Sequence, residues 1–268
     1  MKEAAPIKLL VSLIDPSECD ALLKCPPDYA DVKNPSEGSL GMPDIKIIRE
    51  VRKRIPQKIP LSVAIGDAAQ IYGAAFYKER ARAAVHAGAD IIKVGLYGFA
   101  NKKLMLVFLS TLKKAVGKTP VVAALYADLF ADFIGDFPTI AESAGIHGCL
   151  LDTYKKDAKK GGKKLTDYLS PETLGAFAAA CRKRGLLSAL AGGLDEGDIE
   201  WLMALKPRVD VVGFRGAVCK GPRGGVGLDA GKMESIRRKI AGINLPAFIA
   251  PHRGAVYPAA NPRIPGGA

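Results

Sequence analysis

The sequence lacks the features that would place it in a membrane. In a chain of 268 residues, no apolar run reaches the roughly 18 to 20 residues that a bilayer-spanning helix needs. The apolar stretch near the N-terminus extends over about eight residues, ends at Asp15 and has no small-residue cleavage site, unlike a signal peptide. We therefore interpret this stretch as a core strand and expect a cytoplasmic protein with no membrane partner.

The residues that usually support disulfide or metal chemistry are also few. The five cysteines are odd in number and widely spaced, and they form no CxxC pair. The three histidines are scattered and show neither HxH nor HExxH spacing. A disulfide framework and a zinc site are therefore not indicated, and we expect buried thiols, no metal and no cofactor.

The charge of the chain is unbalanced, with a formal net charge of +12. Such an excess favours an anionic partner, which could be nucleic acid, a membrane surface or a phosphorylated metabolite. No RNP, KH or helix-turn-helix pattern is present, and many lysines fall at strand ends or in one loop. A nucleic-acid binder is therefore the non-enzymatic alternative, and no nucleic-acid partner is expected.

Short apolar segments rich in β-branched residues alternate with segments of helical pattern. The predicted strands are 7–14, 28–33, 60–66, 89–96, 120–127, 148–153, 186–192 and 209–216. The predicted helices are 16–25, 44–54, 77–87, 101–116, 139–144, 171–184, 195–205 and 229–242. Eight such units favour an α/β protein with a single-domain (β/α)8 TIM barrel over an open doubly wound sheet.

Two regions follow from this division. Residues 1–242 are predicted to form the catalytic barrel domain. Residues 243–268 are rich in proline and show no helical period, so we expect an extended or disordered C-terminal tail.

Charged residues occur where most of the predicted strands end. In a (β/α)8 barrel the active site lies at these C-terminal strand ends, so the residues are candidates for chemistry. They are Asp31, Lys33, Asp67, Lys93, Asp128, Asp152 and Arg215. The two-residue period places Asp31 and Lys33 on one face, where they could interact directly. A structural ion pair or a loop cap is the alternative for each residue taken alone.

Two lysines at one barrel mouth point to amine chemistry. Repulsion between Lys33 and Lys93, together with desolvation, favours a neutral amine, which can attack a carbonyl and form a Schiff base. Asp152 would keep the second lysine charged or move protons during dehydration. We predict that Lys33 forms the imine and that Lys93 and Asp152 act as a proton-transfer pair and not as a structural salt bridge.

The loops after strands seven and eight predict a phosphate site. They read LAGGLD (190–195) and GFRGAVC (213–219), and barrels of this type often bind phosphate there. We predict substrate contacts from Gly192, Gly193, Gly216 and Arg215, and also from Asp31 and Asp67, although glycine pairs occur in plain turns too. The lysine-rich loop 153–165 is either a solvated flexible loop or a lid that brings Lys156 to a second anionic group.

The motifs together resemble one family. DVKNPSEGSLG, SVAIGD, IKVGLYG, LLDTYKKDAKKGGKKL, ALAGGL and VGFRGAVC occur in an order and spacing similar to those of the (5-formylfuran-3-yl)methyl phosphate synthases, also called 4-(hydroxymethyl)-2-furancarboxaldehyde-phosphate synthases. The resemblance extends from about residue 8 to residue 240. It implies a barrel that condenses two molecules of glyceraldehyde 3-phosphate into a furan aldehyde phosphate, with loss of one phosphate and water, through a lysine Schiff base in methanofuran biosynthesis.

The resemblance also implies roles for individual residues. Lys33 corresponds to the catalytic lysine of the DVKNP motif, Lys93 to the lysine of KVGLYG, and Asp152 to the aspartate of the LDT motif. The family's lysine four residues after that aspartate corresponds to Lys156, although the lysine-rich insertion leaves Lys155 as an alternative. The insertion and the proline-rich tail depart from the family pattern.

These expectations define an enzyme and its rivals. The leading prediction is a Schiff-base-forming carbon–oxygen lyase that acts on triose phosphates as a homo-oligomer. A class I aldolase or a sugar-phosphate isomerase on the same barrel would use the same kind of lysine and the same phosphate loops, so both remain alternatives.

Overall fold

The predicted strands all form and close into a barrel. A computed structural model describes residues 6–69, 73–99, 101–155, 163–221 and 227–242, and the tail 243–268 therefore lies outside the described residues. The strands are β1 (Lys8–Leu13), β2 (Tyr29–Val32), β3 (Leu61–Ala68), β4 (Ile91–Leu96), β5 (Val121–Tyr126), β6 (Gly148–Asp152), β7 (Leu187–Leu190) and β8 (Val211–Phe214). All neighbours pair in parallel, and β8 pairs with β1 to complete the ring. The (β/α)8 TIM-barrel prediction is confirmed.

Helices form between the strands at all eight predicted places, and one short helix that was not predicted, Ala127–Phe130, follows β5. They are α1 (Cys19–Lys24), α2 (Ile45–Arg54), α3 (Gly73–His86), α4 (Lys102–Val116), α5 (Ala127–Phe130), α6 (Phe137–Ser143), α7 (Pro171–Lys183), α8 (Ile199–Ala204) and α9 (Ala230–Ile240). Several of these helices begin at a residue whose side chain caps the first turn. At the start of α4, the Asn101 carboxamide oxygen accepts the N–H groups of Lys103 and Leu104. Among the helices described, none is both long and apolar enough to traverse a bilayer.

The apolar residues form two separate cores. Alternate side chains of each strand point outward and pack against the helices, and this outer core contains most of the buried apolar residues. The other side chains point into the barrel, where a small second cluster forms from Leu40, Ala64, Ala124, Leu150, Ala189 and Val211. Both faces of a parallel strand are therefore covered, which explains the nearly continuous apolar runs in the sequence.

The interior of the barrel contains unusually small side chains. Ala64, Ala124 and Ala189 occupy inward positions on β3, β5 and β7, and Gly213 lines the interior on β8. Small side chains leave volume unfilled inside the ring of strands. A cavity of about 510 Å³ consequently extends from the C-terminal strand ends into the barrel.

Three aspartates tie the N-terminal ends of neighbouring strands together. Asp28, Asp90 and Asp210 precede β2, β4 and β8, and each accepts the backbone N–H of a residue on the preceding strand at 2.8 Å. These N–H groups belong to Leu9, Leu61 and Ser188. The carboxylates thus satisfy backbone donors at the end of the barrel opposite the predicted active site.

The five cysteines agree with the expectation of buried thiols. Cys19, Cys25, Cys149, Cys181 and Cys219 are all buried and carry free thiols. Burial raises the pKa of the Cys19 thiol to about 11, because the desolvated thiolate is disfavoured. These residues fill the outer core as small apolar side chains.

Replacing Asp28 with alanine should lower the free energy of unfolding by about 1–3 kcal/mol, because the N–H of Leu9 loses its acceptor at a partly buried position. Urea unfolding followed by circular dichroism measures this change. Asp28→Asn retains a side-chain oxygen and should lose less stability. Equal losses in the two variants would show that the carboxylate oxygen does not stabilise this strand end as an acceptor.

Candidate active site

Both predicted catalytic lysines lie in the cavity at the C-terminal end of the barrel. Lys33 follows β2 and is 7% exposed, whereas Lys93 lies within β4 and is 5% exposed. Both side chains line the cavity together with Asp152. The structure therefore brings Lys33, Lys93 and Asp152 to one mouth, as expected from the strand ends.

Lys93 forms a buried ion pair with Asp31. Its Nζ lies 2.5 Å from Asp31 Oδ1, and the hydroxyl of Ser12 donates to Asp31 Oδ2 at 2.8 Å. The pair spans β3, which lies between β2 and β4 in the ring. At this level β3 presents Ser62 and Ala64, which pair in register with Asp31 and Lys93, and their small side chains leave room for the contact.

The charges around Asp31 keep it ionised. Burial alone would raise the pKa of this carboxyl, but the positive charges of Lys93 and Lys33 and the hydrogen bonds from Lys93 and Ser12 outweigh the burial effect and lower the pKa. Asp31 and Lys33 were predicted to share one face of β2, and the charge of Lys33 does help to lower the pKa of Asp31. The ion pair that the structure assigns to Lys93 is with Asp31, whereas a proton-transfer pair of Lys93 and Asp152 remains a prediction.

Asp152 lies at the last position of β6, where its backbone turns into the following loop. Its Oδ1 accepts the N–H of Thr153 at 2.7 Å. Gly192, after β7, packs directly against this turn, since a Cβ on Gly192 would lie 2.9 Å from the Thr153 nitrogen and 3.2 Å from Asp152 Oδ1. Gly192 also has a φ of +101°, so a side chain is disfavoured there for two reasons.

The glycines predicted to bind phosphate lie on one side of the mouth. Gly192, Gly193 and Gly216 line the cavity beside Arg215, and Gly193 has a φ of +70°. The carbonyl of Gly192 accepts the N–H of Leu165 at 2.7 Å, which fixes the loop after β7 against the segment after β6. Backbone at this point can approach a ligand closely, and a phosphate role for these residues stays a prediction.

Arg215 is held by an acidic partner that the sequence did not reveal. Its Nη1 and Nη2 donate to the two carboxylate oxygens of Glu18 at 2.8 and 2.9 Å, and Nη1 also lies 3.2 Å from the carbonyl oxygen of Ser12. The Glu18 carboxylate additionally accepts the N–H groups of Ile14 and Gly227. The guanidinium therefore ties β8 to β1, although Arg215 still lines the cavity.

Asp67 reaches the interior through a β-bulge in β3. The register with β4 shifts between Ala64 and Asp67, and Asp67 pairs with Gly95. The hydroxyl of the fully buried Tyr126 donates to Asp67 Oδ1, and the Leu40 N–H lies 3.3 Å from both carboxylate oxygens. These contacts connect Asp67 to the protein around the site, and its predicted contact with substrate stays a prediction.

The environment of Asp67 and Tyr126 is strongly desolvated. Burial raises the pKa of Asp67, and the negative charge of Asp152 adds to this effect, whereas the hydrogen bonds from Tyr126 and Leu40 oppose it. Burial and the charges of Asp67 and Asp152 also hold the pKa of Tyr126 well above its ordinary value. Tyr126 therefore remains a hydrogen-bond donor in the physiological pH range.

The segment of residues 34–42, which we call the strap, follows Lys33 and covers part of the mouth. Its Gly38 and Ser39 line the cavity, and Leu40 enters the inner core. The hydroxyl of Ser39 donates to the carbonyl oxygen of Thr153 at 3.3 Å. The strap was not foreseen from the sequence, although a leucine between glycines at positions 38 and 41 is a signal of a buried side chain in a tight loop.

The remaining predicted residues divide into two cases. Asp128 caps the loop after β6, because its two oxygens accept the N–H groups of Tyr154 and Lys155 at 2.8 Å each. Lys155 itself is exposed. Lys156 lies outside the described residues, so the choice between Lys155 and Lys156 stays as the sequence left it.

Replacing Glu18 with glutamine should lower the free energy of unfolding by about 3–5 kcal/mol, because it removes the negative charge of a fully buried carboxylate that forms a two-point ion pair with the half-buried Arg215. Chemical denaturation measures the loss. The control is Glu79→Gln, which removes an exposed pair with Arg82 and should change stability by less than about 1 kcal/mol. Equal small losses in both variants would show that the Glu18–Arg215 pair is not a significant stabilising contact.

The fold agrees with that of two enzymes of known structure. The 3-hexulose-6-phosphate synthase of Salmonella typhimurium superimposes with a TM-score of 0.62 at 17% identity, covering 89% of this chain and all of the other. An aldolase designated QR15 gives a TM-score of 0.58 at 13% identity and covers 90% of this chain and 99% of the other. At such low identities these similarities show the barrel fold alone.

Sequence relatives are considerably more similar. A (5-formylfuran-3-yl)methyl phosphate synthase from Methanothermobacter thermautotrophicus is 38% identical over 80% of this chain and 89% of its own length. Relatives of the same name from Methanococcus maripaludis and Methanocaldococcus jannaschii are 39% and 37% identical, each over 80% of this chain and 91% and 90% of their own lengths. The sequence profile of the 4-HFC-P synthases matches residues 9–237, which include β1 apart from its first residue, the other seven strands and both buried lysines. The protein therefore belongs to the 4-HFC-P synthase family.

Proposed function

We propose that the protein is a (5-formylfuran-3-yl)methyl phosphate synthase that condenses two molecules of glyceraldehyde 3-phosphate. The observation that carries the proposal is that two buried lysines, Lys33 and Lys93, line one cavity and that the buried carboxylate of Asp31 pairs with Lys93. Family membership and the relatives' names support the product. The product would supply the furan unit for methanofuran biosynthesis.

The stoichiometry of this reaction sets what the site must do. Two triose phosphates give the furan aldehyde phosphate when one inorganic phosphate and two water molecules leave, and no oxidant or reductant is needed. The site must therefore form one carbon–carbon bond, close the ring and move protons for several eliminations. Amines and carboxyl groups supply this chemistry by covalent and acid–base catalysis.

Lys33 is the better candidate for the covalent amine. Attack on a carbonyl needs a neutral amine, and Lys93 donates as an ammonium to the ionised Asp31 at 2.5 Å. Lys33 lines the same cavity and comes directly before the strap. An imine on Lys33 would act as an electron sink. The Lys93 ammonium, held in the same cavity by the ionised Asp31, could donate a proton to the reacting substrate.

Asp152 faces the same cavity from β6 and serves as the acid–base group of this proposal. β6 lies two strands from β4 and four strands from β2 in the closed ring. A substrate attached to Lys33 would therefore extend across the mouth toward Asp152 and the glycines after β7 and β8. Those glycines and Arg215 are suited to hold a phosphate, as the barrel loops predicted.

Borohydride reduction in the presence of glyceraldehyde 3-phosphate should trap the substrate on Lys33, because an imine is reduced to a stable secondary amine. Peptide mass spectrometry locates the adduct, and Lys33→Arg serves as the matched control that keeps a charge. A furan chromophore and released phosphate in the unreduced reaction support the synthase. An adduct on Lys93 would reverse the two lysine roles, and simple aldol products or dihydroxyacetone phosphate would support an aldolase or an isomerase.

Replacing Asp152 with asparagine should lower turnover by about 100-fold or more, since general acid–base catalysis typically contributes 10²–10⁴-fold. The variant keeps the shape and a side-chain oxygen for Thr153, so the melting temperature should change little. Steady-state kinetics and thermal unfolding measure the two quantities. Asp136→Asn, in an exposed pair with Lys102, is the control. A large fall in melting temperature with near-normal turnover would identify Asp152 as structural.

A further inference from the structure

The strap (34–42) spans the mouth from one side of the barrel to the other. It begins after β2, and its Ser39 hydroxyl contacts the carbonyl oxygen of Thr153 after β6 at 3.3 Å. In the closed ring β2 and β6 are four strands apart, which makes them opposite each other. The strap therefore links the strand that leads to Lys33 with the strand that carries Asp152.

The side chain of Leu40 anchors the strap inside the barrel. Leu40 is fully buried and belongs to the inner core, in which Ala64 and Ala124 are the small inward residues of β3 and β5. Removal of this apolar side chain from water stabilises the strap in this position. The inner alanines thus accommodate a residue that comes from a loop and not from a strand.

The carboxylate of Asp67 holds the backbone of the strap next to Leu40. The Leu40 N–H lies 3.3 Å from both Asp67 oxygens, and the hydroxyl of Tyr126 binds the same carboxylate from β5. Two glycines make this arrangement possible. A Cβ on Gly95 would collide with the Tyr126 hydroxyl and with Asp67, and a Cβ on Gly38 would collide with Asp67 Oδ2.

The bulge that presents Asp67 is itself supported from outside the barrel. Arg80 on α3 donates to the carbonyl oxygen of Ile65 at 3.1 Å and lies 3.7 Å from Glu37 of the strap. The hydroxyl of Tyr77 donates to the carbonyl oxygen of Asp67 at 3.0 Å. The end of β3 and the strap are therefore braced against the same helix.

We propose that Asp67 and Tyr126 are positioning residues that clamp the strap as a fixed wall of the active site. The catalytic part of this inference depends on the function proposed above. The strap starts at the residue after Lys33, and its base is closed by a hydrogen bond from the Asn34 N–H to the Gly41 carbonyl oxygen at 2.8 Å. Gly38 and Ser39 form the wall that faces the cavity. The clamp thereby fixes where a substrate bound to Lys33 can lie.

This role differs from substrate binding in its kinetic consequences. The loops that are predicted to bind phosphate follow β7 and β8, whereas the clamp residues lie on β3 and β5. Loss of the clamp should leave ground-state binding nearly unchanged but make the reactive geometry less defined, and small displacements of this kind can lower rates by about 100-fold. The expected signature is a lower kcat with an unchanged KM.

Tyr126→Phe removes the phenolic hydroxyl while keeping the ring, and Asp67→Asn is the second variant in case the first does not fold. Hydrogen–deuterium exchange without substrate should show exchange in peptides covering 34–42 that is faster by about tenfold, the effect of about 1.4 kcal/mol of lost local stability. Peptides of β7 and β8 should be unchanged. Steady-state kinetics on glyceraldehyde 3-phosphate should show kcat lower by about tenfold or more and KM within about twofold.

The controls are Tyr168→Phe, in a loop distant from the strap in sequence, and Asp28→Asn at the opposite end of the barrel, neither of which should change strap exchange or kcat. Unchanged exchange in both clamp variants would overturn the clamp. Faster strap exchange with normal kcat would overturn the positioning role. An absence of furan product from the unaltered protein would reject the proposed function. The exchange measurement needs no substrate, so it tests the clamp independently of that result.

Discussion

The burial of the Asp31–Lys93 ion pair inside the barrel is the constraint on which the rest of the site depends. Two charges removed from water are tolerated only when they compensate each other and their remaining hydrogen-bonding groups find partners. The pair reaches across β3, so β3 can carry only small side chains at this level, which are Ser62 and Ala64. Ser12 completes the coordination of the carboxylate from β1. The Asp31–Lys93 contact thus constrains the inward side chains of four consecutive strands, β1 to β4.

This constraint divides the barrel into parts with different tasks. The outer core, between strands and helices, holds the majority of the buried apolar residues and supplies most of the hydrophobic stabilisation. The interior instead contains charges, hydroxyls, alanines and a cavity. A barrel filled entirely by large apolar side chains would be better packed, but it would leave no place for buried amines and a substrate.

The sequence predicted those parts of the molecule that depend on local pattern. The eight apolar runs became strands, and the two-residue period predicted that Asp31 and Lys33 share a face, with which the influence of the Lys33 charge on the Asp31 carboxyl is consistent. The partner of Lys93 was not foreseen, because the contact crosses β3 and depends on the inward side chains of that strand. Glu18 was equally hidden, since an acidic residue beside α1 is typical of a helix start and its partner Arg215 is 197 residues away. Tyr126 was read as an apolar strand residue, and the bulge that brings Asp67 to it has no simple sequence pattern beyond Gly66.

The burial of all five native thiols has a practical consequence for studying the enzyme in solution. Thiol-directed dyes and spin labels react with accessible thiolates, and none of the five cysteines is accessible. The raised pKa of Cys19 also disfavours its thiolate. An exposed strap position such as Ser36 could therefore be changed to cysteine and labelled with high selectivity in the folded protein. The distance between such a probe and a second label on the barrel would report the position of the strap during turnover, without removal of any native cysteine.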